Sequence, residues 1–252
     1  MIPLSDANRS HRVPYVNVAL IIINILVYFY EVTLSGSIAL SDSSQRLGSF
    51  FYSFAVIPLE YTGDVDVGTA TVQPVFLTLF SAMFMHGGLL HLGGNMLFLW
   101  VFGDNIESNM GHVKYIIFYL LSGVIASFAH IAFNASSDIP SLGASGAIAG
   151  VLAAYLVLFP RAQVKTLLVI FFFITVTRVS ALLLIGLWFA LQFFQGIGEL
   201  GTETAQTSGV AVWAHIGGFI AGLVLVLVFR GPNRQGRPEL AEPYGRTPSG
   251  RF

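Results

Sequence analysis

The sequence predicts an all-α polytopic membrane protein: a six-helix transmembrane bundle with a long, partly immersed loop between helices one and two. Three observations predict it. The 252 residues are 55% hydrophobic and only 10% charged, against about 25% charged in an ordinary soluble domain. Mean hydropathy is +0.75. The apolar residues gather into runs close to the roughly 20 residues that cross hydrocarbon. Such a composition leaves no water-facing shell, which excludes a soluble globular enzyme and a disordered chain. The net charge of −1 provides no basic field for nucleic acid. With no cysteine in the chain, disulfides, Cys-ligated zinc and thiol catalysis are excluded.

The elements follow in order. Residues 1–13 are polar, carry Arg9 and Arg12, and read as a cytoplasmic N-terminal segment. Span one covers residues 14–34; it lacks a small-residue cleavage site, so it is not read as a removed signal peptide. The connection over 35–88 holds aromatic stretches at 50–58 and 74–85, which read as partly immersed interfacial segments. Spans two to six follow at 89–106, 113–133, 145–159, 179–198 and 209–229, the fourth being short. Residues 164–177 are apolar, but as a helix they reach only about 21 Å. Arg161, Lys165 and Arg178 bracket them, so they read as a loop lying in or dipping into the interface. The tail over 231–252 is rich in Pro, Gly and Arg and reads as disordered. The membrane domain thus occupies 14–230, with the lipid bilayer as its first partner.

The basic residues are sorted by this span count. Arg9, Arg12, Lys114, Arg161, Lys165, Arg178, Arg230, Arg234, Arg237, Arg246 and Arg251 fall on one side, and only Arg46 on the other. The positive-inside rule then puts both termini in the cytoplasm, as for a multi-pass protein of the plasma or inner membrane.

Polar groups in hydrocarbon are costly and are functional candidates by default. Those hardest to explain away are Ser145, His215, His91, Asn95, His86 and His130, then Gln192. Ser145 begins a helical run after a Pro/Gly loop, so a plain N-cap is its simplest alternative. His215 has the alternative of a structural histidine, and His91 with Asn95 that of interfacial and interhelical hydrogen bonds. The small residues sharpen the choice. Gly146 and Gly150 in span four, and Gly218 and Gly222 in span six, are each spaced i, i+4, the spacing that lets helix backbones approach closely. Both spans run from outside to inside. Ser145 lies at the outer end of one, and His215 about 9 Å down the other. His91 and Asn95, also i, i+4, share one face of the outer half of span two. A zinc site from His86, His91 and His215 lacks both a carboxylate ligand and ligand spacing, so no metal or cofactor is expected.

Three clusters at one depth make a reactive centre. A serine hydroxyl needs an adjacent base, which His215 can supply. An oxyanion needs preorganised donors, available from His91, Asn95 and the Ser145 backbone N–H. No Asp or Glu in the outer halves of these spans orients His215, which suggests a Ser–His dyad. The competing readings are a catalytically silent binder of client helices and, less well matched, a transporter, which often shows the internal repeats missing here.

Four motifs in order resemble the rhomboid family of intramembrane serine proteases: His86-x4-His91-x3-Asn95, Gly103-x3-Glu107-x3-Gly111, Gly143-Ala144-Ser145-Gly146 and Ala214-His215-Ile216-Gly217-Gly218. The resemblance implies a six-span rhomboid fold and an active peptidase without cofactor. It implies Ser145 as nucleophile, His215 as base and then acid, oxyanion contacts from His91 and Asn95, and His86 lining a water-filled cavity. Gly103, Glu107 and Gly111 are implied to be structural, and Trp188 to lie near a possible substrate gate, with ordinary lipid or packing contact as its simpler alternative. The implied partners are transmembrane protein substrates. Some family members support the histidine with an aromatic four positions after the serine; this chain has Ala149 there, so that support must come from elsewhere.

Overall fold

The computed structural model describes residues 1–8, 12–40, 44–63, 67, 71–72, 74–170, 172–199 and 211–231. Among the described residues, six longer helices appear where apolar runs predict them: α1 (Tyr15–Ser35), α2 (Leu89–Met110), α3 (His112–Phe133), α4 (Ser145–Leu158), α5 (Ala181–Glu199) and α6 (Val212–Phe229). Among the described residues, α1, α3, α5 and α6 are long and apolar enough to cross a membrane. Helix α2 qualifies together with the helical turns of Val75–Phe84, from which it is bent by 82°. Helix α4 is a short 14-residue helix. The first two residues expected of span six, and the expected tail from 232 onward, lie outside the described residues.

The connection between α1 and α2 folds as short helices, Gln45–Phe54 and Pro58–Thr62, before the turns of Val75–Phe84. Ser44 caps the first, its Oγ accepting from the Leu47 N–H at 3.3 Å. The loop is tied to the segment ahead of α4. Val56 and Ser141 pair as an isolated bridge, and the Gly143 N–H donates to the Ala82 carbonyl at 2.8 Å.

Residues 164–177, expected as a loop in or dipping into the interface, are not a loop. They form most of an antiparallel hairpin, β2 (Gln163–Ile170) and β3 (Phe173–Ser180), and β1 (Ile2–Asp6) adds to it in the order β1-β2-β3. The register runs from Gln163 opposite Ser180 to Ile170 opposite Phe173, with Ile2 opposite Leu167 and Asp6 opposite Val164 across the other edge. The hairpin is rich in β-branched residues, which favour a pleated backbone. Burial alternates at the start of β2, where Val164 and Thr166 are buried and Gln163 and Lys165 exposed, the period of a half-covered strand, whereas residues 174–178 of β3 are all exposed. Strand β3 also takes Val179 and Ser180, so the fifth helix begins at Ala181 rather than at 179.

The end of β1 is anchored into the bundle. Asp6 Oδ2 accepts from the Tyr155 hydroxyl of α4 at 2.6 Å and from Asn105 Nδ2 of α2 at 2.8 Å. Burial raises the Asp6 carboxyl above its ordinary value of 3.8, and the Tyr155 hydrogen bond offsets part of that rise. The folded chain therefore holds this proton more tightly than the unfolded one. The resulting stabilisation is complete below the ordinary carboxylate range and is lost as pH rises through the raised value. Asp6→Asn is expected to flatten that fall when thermal unfolding midpoints in detergent are measured against pH. An unchanged slope would remove Asp6 as its source.

The Gly103, Glu107 and Gly111 motif joins α1, α2 and α3. Helix α1 starts after Pro14, which has no side-chain acceptor to cap it. Glu107 of α2 caps it instead, its carboxylate accepting from the Val16 N–H at 3.0 Å and the Asn17 N–H at 2.7 Å. These are donors left over at a helix N-terminus, where the dipole favours an anion. The His112 ring also meets this carboxylate, at 2.5 Å. A Cβ on Gly103 would overlap the Asn17 side chain and the Tyr115 hydroxyl, which bond each other at 2.8 Å. Gly111 turns the chain from α2 to α3 at φ +83, a conformation that disfavours a side chain.

Helix α4 is the centre of the bundle, buried from Gly146 to Tyr155. It packs on α6 through glycine. A Cβ on Gly222 would strike the Gly150 backbone, and one on Gly218 the Gly146 carbonyl. On the α3 side, Ala126 faces Gly146 and Ser122 faces Gly150. The sheet and the ends of α2 and α6 lie together, the Gly231 N–H donating to Asn109 Oδ1 at 3.0 Å. The first residues of α4 and α6 lie at the other end.

Candidate active site

Ser145 is the first residue of α4. Ahead of it, Gly143 takes φ +131, where a side chain would be strained and would also run into the His91 ring. Ala144 occupies the N-cap position, with no side-chain cap bond. Ser145 is therefore not a plain N-cap. Its Oγ lies 2.7 Å from His215 Nε2. The glycine crossing produces that contact. Ser145 stands one residue before Gly146, and His215 three before Gly218, and those two glycines let the backbones meet. His215 is 9% exposed and Ser145 partly exposed.

The α2 cluster closes on the same place. A Cβ on Gly143 would be 2.8 Å from His91 Nε2 and 3.6 Å from Ser145 Oγ, so the imidazole and the hydroxyl flank one glycine. Asn95 Nδ2 lies 2.9 Å from His86 Nε2. The rings of His86 and His91 meet edge-on at 5.0 Å. His86 is fully buried, so it sits behind the polar cluster, in contact with Asn95, and not on an open cavity wall. A cleft of about 20 Å³ beside Ser145, bordered by Met83, Ala126, Ser127, Gly143 and Ala214, has room for about one water.

The structure adds two residues to this cluster. His215 Nδ1 lies 2.6 Å from Gln192 Oε1 of α5; Gln192 ranked last among the polar candidates in the sequence. Trp188, one turn earlier on α5, sets its ring 5.7 Å from that of His215. The second addition, Glu31 of α1, is absent from the sequence candidates. It is fully buried, and its carboxylate accepts from the His86 backbone N–H at 3.1 Å. It is the one charged residue of 14–34, and a lone charge in an apolar run is the signal that would have found it. His130 is within 3.3 Å of the amide of Asn134, the residue that follows α3. Among the described residues, no group of three His, Asp or Glu side chains is placed to hold a metal ion.

Comparison with known proteins identifies the family. The rhomboid domain family matches residues 73–232, more than half of the chain. RHOMBOID-like protein 1 of Arabidopsis thaliana is 27% identical over 229 residues, 86% of this chain and 53% of that protein. Presenilin-associated rhomboid-like protein A, mitochondrial, of Danio rerio is 34% identical over 131 residues, 50% of this chain and 34% of that protein. Rhomboid protein 1, mitochondrial, of Saccharomyces cerevisiae is 34% identical over 92 residues, 35% of this chain and 27% of that protein. The chain thus spans about half the length of the plant relative and less of the other two. A family match of this extent, over a helical bundle with several membrane-crossing segments, means that the chain belongs to the rhomboid family.

Proposed function

We propose that this chain is an intramembrane serine endopeptidase, hydrolysing peptide bonds in or beside membrane-spanning helices, with Ser145 as nucleophile and His215 as general base. The observation that carries the reading is the 2.7 Å contact between Ser145 Oγ and His215 Nε2, the nucleophile–base pair that acyl transfer requires. Ser145 Oγ attacks the scissile carbonyl as His215 takes its proton. The tetrahedral oxyanion is met by the Ser145 backbone N–H, which as a first-turn donor has no intrahelical acceptor, by His91, and by the Asn95 N–H not committed to His86. The α4 dipole points its positive end at the same charge. His215 then returns its proton to the leaving amine, giving the acyl-enzyme. Water, held beside Ser145, attacks with His215 again as base, and Ser145 is regenerated. These steps use no metal or cofactor.

A substrate helix hides its carbonyls in backbone hydrogen bonds, so its segment must unwind before attack. That favours transmembrane proteins with helix-weakening residues near the cut. The charge sorting favours a plasma or inner membrane with both termini cytoplasmic, which puts the Ser145 end of the bundle toward the outer face. Two of the relatives carry mitochondrial names, so fractionation of the native cell tests the membrane independently.

The test is covalent. A fluorophosphonate probe should label the wild-type protein in detergent and fail on Ser145→Ala, with a helical reporter substrate cleaved in the same pattern. Cleavage that survives Ser145→Ala would end the serine-protease reading. A wild-type protein that binds the reporter but neither labels nor cleaves would be a silent binder of client helices.

A further inference from the structure

We infer that Gln192 is a positioning residue for the reaction, its amide oxygen holding His215 in the one tautomer that can act as a base; the inference rests on the protease reading above. A neutral imidazole carries one N–H and one lone pair. To take the Ser145 proton, Nε2 must present the lone pair, so the hydrogen must sit on Nδ1. A buried N–H needs an acceptor, since leaving it unpaired is costly. Gln192 Oε1, at 2.6 Å, is that acceptor. Ala149, fully buried on α4, has no polar atom or ring to offer the histidine. With the amide turned the other way, its NH2 would face Nδ1, the proton would move to Nε2, and Ser145 would have no base. The amide oxygen also suits the next step. Once His215 has taken the proton, Nδ1–H still donates to Oε1, so the same contact serves the base and the imidazolium.

The rest of α5 is built to keep Gln192 there. Trp188, Gln192 and Gly196 stand at i, i+4 and i+8, one stripe of the helix. Trp188 meets the His215 ring at 5.7 Å. A Cβ on Gly196 would come within 3.0 Å of Ile216 and 3.3 Å of Val212, so the α5 backbone approaches α6 closely there. Phe189 stacks on Phe219 at 4.1 Å. The aligning group is thus delivered by a helix other than the two that carry the dyad. Separating α5 from α6 would leave Ser145 and His215 adjacent and the base unaligned.

Two substitutions in the full-length chain test this. Gln192→Met is close to isosteric and removes the acceptor. It should lower kcat by about 10²-fold, within the range that general-base catalysis supplies, with KM and the thermal unfolding midpoint unchanged. Gln192→Glu keeps an acceptor and adds a negative charge, which favours the protonated imidazole. It should retain activity and move the low-pH limb of kcat/KM to higher pH, by about one unit. Nitrogen-15 spectra of the histidine ring in the resting protein supply a readout besides activity, with the proton on Nδ1 in the wild type and mixed between the nitrogens in Gln192→Met. Wild-type kcat in Gln192→Met, an unmoved limb in Gln192→Glu, or a wild-type ring protonated at Nε2 would each overturn the inference. If the wild type neither labels with fluorophosphonate nor cleaves, the protease reading fails, and the ring spectra still decide whether Gln192 fixes the tautomer.

Discussion

Removing Ser145 and His215 together is expected to cost no more activity than removing either one. Ser145→Ala, His215→Ala and the double variant should each lower kcat on a helical reporter by about 10⁶-fold, the scale seen where nucleophile and base act as a unit. The reason is geometric. In the proposed mechanism the serine hydroxyl is a weak nucleophile until Nε2, 2.7 Å away, takes its proton, and the imidazole can protonate the leaving amine only with the proton it took from Ser145. Each group is therefore worthless without the other, and their effects cannot add. On the proposed mechanism, what should remain in all three variants is oxyanion stabilisation by the α4 N-terminus, His91 and Asn95, which does not depend on the dyad. Steady-state kinetics on the three proteins at one pH checks this. A double variant slower than both single ones by a further large factor would mean that His215 acts on something besides Ser145. A His215→Ala enzyme with substantial activity would mean that another group serves as the base.

The helical frame was legible because hydrophobicity and length are local properties of a sequence. The starts of α3 and α4 are predicted to within a residue, since loop and cap chemistry marks them. The pairing of α4 with α6 was also legible, through Gly146, Gly150, Gly218 and Gly222, because close backbone approach leaves a compositional trace. The sheet was not. Residues 164–177 are too short to span as a helix, and their length and flanking charges fit a loop as well as a hairpin; only the β-branched content separates the two. Its third strand, Ile2–Asp6, pairs with residues about 160 positions away, and no local pattern announces such a partner. The environment of the candidate site is less legible in the sequence than its centre. Ser145, His215, His91 and Asn95 stood out as polar residues at one depth. Glu31 passed unnoticed inside an otherwise apolar run, and the partner of Gln192 depends on how α5 leans on α6, which spacing along a single helix does not specify.

The second large effect is expected at the glycine crossing. Gly222→Val should abolish fluorophosphonate labelling and lower the thermal unfolding midpoint steeply, although residue 222 lies two helical turns from His215. A Cβ at position 222 would fall on the Gly150 carbonyl and Cα. Both colliding groups are backbone, so no side-chain rotation relieves the overlap. Helices α4 and α6 must separate instead. Neither has slack: α4 is buried from Gly146 to Tyr155, and α3 closes on both, with Ser122 and Ala126 against Gly150 and Gly146 and Ala129 against Gly217. Overpacking a tight core costs about 1–3 kcal/mol where side chains can adjust, and more where they cannot. Against a total stability of about 5–15 kcal/mol, such a loss is large. Separation by even about 1 Å also takes Ser145 Oγ out of hydrogen-bond reach of His215 Nε2, so activity should fall wherever the fold survives. Gly222→Ala tests the gradation, since it introduces the same Cβ without the valine methyls and should be milder in both readouts. Gly186→Ala supplies the contrast. Nothing lies within 4 Å of a Cβ there, and replacing a helical glycine by alanine at an open position stabilises by about 0.5–1 kcal/mol. If Gly222→Val folds and labels like the wild type, the Gly150–Gly222 contact is not what holds α4 and α6 in register.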